Sequence, residues 1–236
     1  MIMSTIEQNL QAVRGAIAQA ALEAQRAPAD VTLLAVSKTF GADAVLDAVR
    51  AGQAAFGENY LQEALDKMAA VKLALPQGGP AWHFIGPIQS NKTRPIAEHF
   101  DWVHTVEREK IAVRLSEQRP AGLPDLNICL QVNISGEASK SGVSPGDLPA
   151  LARAVAQLPR LRLRGLMAIP EPETDVNLQR RAFAQLRTLY EQLQADGLAL
   201  DTLSMGMSAD LRAAVLEGAT IVRVGSAIFG SRNYSH

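Results

Sequence analysis

Eight short apolar runs, separated by segments of helical periodicity, constrain this chain more than any other feature. The runs are VTLLAVS, AAFG, WHFIG, DWVHT, LNICLQVNI, LRLRGLMAI, DTLSM and TIVRVG. Between them lie helix-like segments such as ADAVLDAVRAG, NYLQEALDKMAAV, VEREKIAVRLSEQR and NLQRRAFAQLRTLYEQLQADG, and an amphipathic stretch, STIEQNLQAVRGAIAQAALEAQR, precedes the first run. Regular alternation of this kind implies a parallel sheet with helices packed outside it. Within 236 residues, about eight such units favour an α/β fold, a single (β/α)8 TIM-type barrel with an extra N-terminal helix. The whole span 1–236 reads as one domain, and a doubly wound open sheet is the competing arrangement. Asp43, Ser144 and Ser208 are expected as helix N-caps, and Gly197 as the end of the longest late helix.

A barrel makes a claim about location, because active sites of this fold form where the strands end. Those positions hold Ser37–Lys38, Gly57–Glu58–Asn59, Gly86, His104–Thr105, Asn133–Ile134–Ser135, Met167–Ala168, Ser204–Met205 and Arg223–Val224–Gly225–Ser226. Lys38 ends the first apolar run. It reads either as a snorkelling surface residue or as an amine needed for chemistry, such as a Schiff-base nucleophile. Ser208, in SMGMSADLRAAV, reads either as an ordinary cap or as a hydroxyl beside backbone N–H groups that suit a phosphate. In VRVGSAIFGS, Arg223 ends a strand and Gly225–Ser226 opens the next turn. The loops after the last two strands are the usual phosphate site of such barrels.

Composition narrows the alternatives. A net charge of −1 does not support strong attraction to nucleic acid or to an anionic membrane. No apolar stretch reaches the roughly 20 residues needed to span a bilayer. The single cysteine, Cys129, lies within an apolar run and reads as a packed core thiol, and one cysteine excludes an intramolecular disulfide framework. With no secretory signal, the cytoplasm is the expected compartment. The four histidines, His83, His99, His104 and His236, lack metal-ligand spacing. Gly206 to Asp210 imitates a nucleophile elbow, but the last glycine is missing and no triad order follows. The cluster SNKTRP, Ser90 to Pro95, reads as a solvated helix start rather than an anion site.

The blocks AVSKTF, FGENYLQEALDK, WHFIGPIQSNK, QVNISGEASKSGV, GLMAIP and LSMGMSADLRAAVLEGATIVRVGSAIFG together resemble the pyridoxal phosphate homeostasis protein family. Its members are cytosolic proteins that bind pyridoxal 5'-phosphate (PLP) and resemble the N-terminal barrel of alanine racemase. The similarity runs over almost the whole chain. It implies that Lys38 forms the Schiff base with PLP and that Arg223 faces the pyridine nitrogen. Ser208, Gly225 and Ser226 would hold the phosphate, with Asn59 and Ser204 beside the cofactor and Lys140 near its phenolic oxygen. The implied role is to hold, buffer or deliver PLP to apo forms of PLP-dependent enzymes, as a monomer and without robust catalysis. A minimal amino-acid racemase is the second reading, and a PLP-sensing interaction protein the third. Racemases of this type use a second domain and its tyrosine. This chain stops about ten residues after Ser226, and its late tyrosine, Tyr234, lies in that tail.

Overall fold

Apolar runs whose residues are buried on both faces suit parallel strands covered by helices, and each of the eight runs forms one. The computed structural model describes residues 4–136 and 141–230. The strands are β1 (Thr32–Val36), β2 (Ala55–Glu58), β3 (Ala81–Phe84), β4 (Trp102–Val106), β5 (Leu126–Gln131), β6 (Leu161–Met167), β7 (Thr202–Ser204) and β8 (Ile221–Val224). They pair in sequence order, all parallel. β1 closes on β8 with Thr32 opposite Ile221 and Leu34 opposite Arg223. Closure removes the open doubly wound sheet from consideration.

A helix precedes the barrel and one follows each strand. They are α1 (Thr5–Glu23), α2 (Ala42–Arg50), α3 (Leu61–Ala74), α4 (Thr93–His99), α5 (Glu109–Gln118), α6 (Leu148–Ala156), α7 (Val176–Ala195), α8 (Leu211–Leu216) and α9 (Ser226–Phe229). In α1, Leu10, Val13, Ile17, Ala20 and Ala21 form one buried stripe, and the Ser4 hydroxyl caps its start by accepting from the Glu7 N–H at 3.2 Å. Gly197, at φ +94°, follows the last turn of α7 as expected. The main core lies between sheet and helices and includes the fully buried Phe56, Phe84, Phe100 and Phe183. A separate small cluster of Leu34, Val36, Ala55, Ile85 and Ile221 fills part of the barrel interior.

The three expected N-caps sit elsewhere. Gly41 occupies the cap of α2, and Asp43 lies in its first turn. Before α6, the Ser144 hydroxyl closes a local turn by accepting from the Asp147 N–H at 3.1 Å, and the helix starts only after Asp147. Ser208 sits in an exposed turn, with Asp210 at the cap of α8. In the last two cases a side chain first satisfies a preceding turn, which a cap motif in sequence does not distinguish from the helix itself. Ser90–Lys92 forms a 3-10 turn that leads into α4, with Ser90, Asn91 and Lys92 at least partly exposed, as the solvated helix start requires.

Candidate functional site

Lys38 lies in the turn that follows β1, two residues beyond Val36, and is half-buried. Both its neighbours in sequence are clamped. The Ser37 carbonyl accepts from the Lys67 ammonium at 2.8 Å, and the Ser37 hydroxyl donates to Glu58 Oε1 at 2.5 Å. The Thr39 N–H donates to Glu63 Oε1 at 2.6 Å. Thr39 itself takes φ +70°, a left-handed conformation that is costly for a β-branched residue. Lys67, reaching in from α3 with its side chain 3% exposed, joins these groups at 2.6 Å from Glu58 and 3.1 Å from Glu63. Burial pushes the Glu58 carboxyl up, against the opposing pull of Lys67. Glu58 Oε2 and Asn59 Oδ1, at the end of β2, are buried without hydrogen-bond partners among the described residues.

The loop after β8 approaches the same turn, and the loop after β7 lies beside the end of β8, where the Arg223 N–H donates to the Gly206 carbonyl at 2.9 Å. Gly225 lies so close to β1 that an added Cβ would stand 3.2 Å from the Val36 carbonyl oxygen. Phe40 and Phe229 stack with centroids 5.1 Å apart, fixing α9 against the chain that follows Lys38. Ser226 and Ala227 are exposed, and the first N–H groups of a helix have no intrahelical partner. The β7 loop turns at Gly206, where φ is +97° and a Cβ would collide with the Ala214 side chain at 2.5 Å. Asp210 closes this turn by accepting from the Met207 N–H at 2.6 Å, leaving Met207, Ser208 and Ala209 exposed. Both loops therefore present backbone N–H groups and a serine hydroxyl.

Arg223 projects from β8 into the interior and is 4% exposed. Its Nη1 donates to the Ser204 carbonyl at 2.8 Å and to the Ser204 hydroxyl at 2.7 Å, and its Nη2 to the Ala168 carbonyl at 3.1 Å. Three of its five N–H groups are thus committed among the described residues, leaving Nε–H and one Nη2–H. Burial lowers its pKa to about 10, opposed mainly by Asp210, so the guanidinium is still a cation at neutral pH. Asn59, Thr105 and Gln131 line a cavity of about 240 Å³ at the strand ends, together with Ile85.

Comparison with known proteins places this arrangement. The family of alanine racemase N-terminal domains matches residues 6–233. The chain is 66% identical over 232 residues to the pyridoxal phosphate homeostasis protein of Pseudomonas aeruginosa, covering 98% of each. It is 53% identical over 233 residues to the protein of that name from Escherichia coli K12, covering 99% of each. The chain belongs to the pyridoxal phosphate homeostasis protein family. A solved structure of PipY from Synechococcus elongatus with PLP bound is 38% identical, with a TM-score of 0.83 over 95% of this chain and all of PipY. An alanine racemase from Corynebacterium glutamicum, 16% identical at TM-score 0.71, shares the fold, and this chain covers 63% of it.

For a member of this family, the structure brings Lys38, Gly225 and Ser226 to one side of the mouth, with Arg223 on the adjacent strand. Ser204 is fully buried, its hydroxyl engaged by Arg223 and by His104 at 2.7 Å. Lys140 lies outside the described residues. Cys129 is fully buried, and burial pushes its thiol up to about 12, which fits a core residue. No cluster able to hold a metal occurs among the described residues, and none of their helices is long and apolar enough to cross a membrane. Sequence reasoning missed Glu63 and Lys67 as parts of the site; it named His104 only as a strand-end residue, and His83 only as a histidine without metal-ligand spacing. The signal for the first two was available: Glu63 and Lys67 stand four apart on α3, one helical turn beyond the strand-end Glu58.

Proposed function

We propose that this chain binds PLP at the barrel mouth through Lys38 and holds it for release to apo enzymes rather than for turnover. What carries the reading is the convergence on one mouth of a lysine on a clamped turn, a buried arginine with uncommitted donors, and two exposed loops rich in N–H groups. The residues fit the group: Asn59 Oδ1, at the end of β2, is buried with no hydrogen-bond partner among the described residues and could accept a bond from a ligand. Bound PLP supplies an aldehyde that condenses reversibly with a primary amine, releasing water.

Lys38 would provide that amine, and the bonds to the Ser37 carbonyl and the Thr39 N–H fix the backbone on either side of it. Ser208, Gly225 and Ser226 provide hydroxyl and backbone donors to the dianionic phosphate, which charge-assisted hydrogen bonds favour. Arg223 would offer one of its uncommitted N–H groups to the ring nitrogen. Because its charge is kept, it disfavours protonation there and weakens electron withdrawal from a bound amino acid. This favours holding over Cα chemistry. Asn59 completes the wall on the β2 side.

Borohydride reduction of the loaded protein, digestion and mass mapping test the attachment. The pyridoxyl label is expected on Lys38, and a label mainly on Lys140 or another lysine would refute the assignment. For the role, loaded protein is mixed with an apo PLP enzyme and a trap for unbound PLP. Activity is expected to return, while Cα–deuterium exchange over a panel of amino acids stays at background. Exchange at enzyme-like rates, about 1–10³ s⁻¹, would make the chain a racemase. Transfer no faster than that of free PLP would leave storage alone.

A further inference from the structure

Behind Arg223, a line of three polar side chains crosses the barrel. The Ser204 hydroxyl stands 2.7 Å from His104 Nδ1, and His104 Nε2 stands 2.8 Å from His83 Nδ1. His104 and Ser204 are fully buried, and His83 nearly so. Its ring lies flat against Trp102, with centroids 5.2 Å apart and planes 5° from parallel. His83 reaches a second cavity of about 690 Å³, lined by Thr32, Ala55, Ala81, Trp102 and Ile221 at the opposite ends of the strands from Lys38.

The direction of every hydrogen bond in this line follows from Arg223, which can only donate. Its Nη1–H is given to the Ser204 oxygen, so the single Ser204 proton is available to His104 Nδ1. A neutral His104 must then carry its proton on Nε2 and donate it to His83 Nδ1. A neutral His83 in turn carries its proton on Nε2, toward the second cavity. Burial keeps both rings neutral, holding His83 at about 3 and His104 well below its ordinary range. The reverse tautomers would leave the buried Ser204 proton without an acceptor among the described residues, a cost the first arrangement avoids.

We propose that His104 and His83 are positioning residues for Arg223, forming with Ser204 a one-way hydrogen-bond line that holds both imidazoles as Nε2–H tautomers and fixes the guanidinium at the mouth. Its importance for the cofactor rests on the reading of Arg223 given above, but the line itself does not. Nitrogen-15 NMR of the full chain without PLP is expected to place the proton of both histidines on Nε2. A proton on Nδ1 of either ring, or a charged ring at neutral pH, would overturn the proposal.

His104→Phe breaks the line, whereas His104→Gln retains an acceptor for Ser204 and a donor for His83. Proton exchange at the Arg223 guanidinium is expected to quicken about tenfold in the Phe variant and to stay near wild type in the Gln variant. Equal exchange in the two variants would also overturn it. Should His104→Phe fail to fold, Ser204→Ala tests the same link by removing one oxygen. In PLP-loaded samples, the absorption maximum should move with His104→Phe and return with His104→Gln. If wild type binds no PLP, only the cofactor reading fails, and the NMR measurements still decide the line.

Discussion

At the scale of residues, the site depends on buried charge that is paired from several sides. Lys67 satisfies Glu58, Glu63 and the Ser37 carbonyl at once. Lys67→Met leaves Glu58 buried without its cation, and removing one partner of a buried pair costs about 3–5 kcal/mol. Urea unfolding at neutral pH should show a loss of that size, and PLP should be retained less well because the Ser37 carbonyl, next to Lys38, loses its clamp. A loss below about 1 kcal/mol, the range of surface pairs, would mean that the network contributes little. At the loops proposed to hold the phosphate, Ser208→Ala with Ser226→Ala should weaken PLP retention by roughly 1.5–3 kcal/mol per hydroxyl bond to a charged group. Pyridoxal, which lacks the phosphate, should bind wild type poorly. Equal affinity for pyridoxal and PLP would remove the phosphate assignment.

At the scale of elements, α1 is stitched to the barrel where the last two helices lie. Arg26, just beyond it, donates to the carbonyls of Val215 at 3.0 Å and Ala219 at 2.8 Å. Arg14 donates to the Ala51 carbonyl at 3.0 Å. Most pertinent is Asn9, whose amide donates to the Ile228 carbonyl at 2.9 Å and so holds α9 from behind. Asn9→Ala should cost about 1 kcal/mol of stability and speed the release of PLP, since α9 begins at Ser226. Unchanged release measured by stopped-flow absorbance, with lowered stability, would limit α1 to a structural role.

The elements were also the most legible part of the sequence. All eight strands announce themselves because parallel strands are covered on both faces and become unbroken apolar runs. Lys38 and Arg223 stand out as cations at the ends of such runs. The histidine line does not announce itself, because His104 meets Ser204 across 100 positions of chain. Only closure of the sheet creates that contact. The pairing of Lys67 with Glu63 is legible from their spacing on α3, but its bond to the Ser37 carbonyl is not, because Ser37 lies 30 residues earlier, just past the end of β1.

At the scale of the whole molecule, the polar interior governs behaviour in acid. His83 binds a proton at an ordinary 6.5 when unfolded and only at about 3 when folded. The unfolded state therefore holds more protons below 6.5, and stability present above that value is lost as pH falls toward 3. The contribution of His83 to this slope is about 1.4 kcal/mol per pH unit, and His104 acts in the same direction. Urea unfolding at stepped pH should show a steep loss across this window that His83→Gln reduces. An unchanged slope would mean that another group titrates instead.

The closure of β8 on β1 has a consequence for biosynthesis. Lys38 emerges early from the ribosome, whereas Arg223 and Ser226 emerge almost two hundred residues later. At about 5–20 residues per second, the lysine waits some ten seconds or more for the loops that complete its surroundings. On the proposed reading, the nascent chain thus exposes the Lys38 amine before the loops that would hold the phosphate exist. If Lys38 and these loops hold PLP as proposed, its capture follows docking of the final strand, and a stalled chain ending before Thr220 should emerge without it.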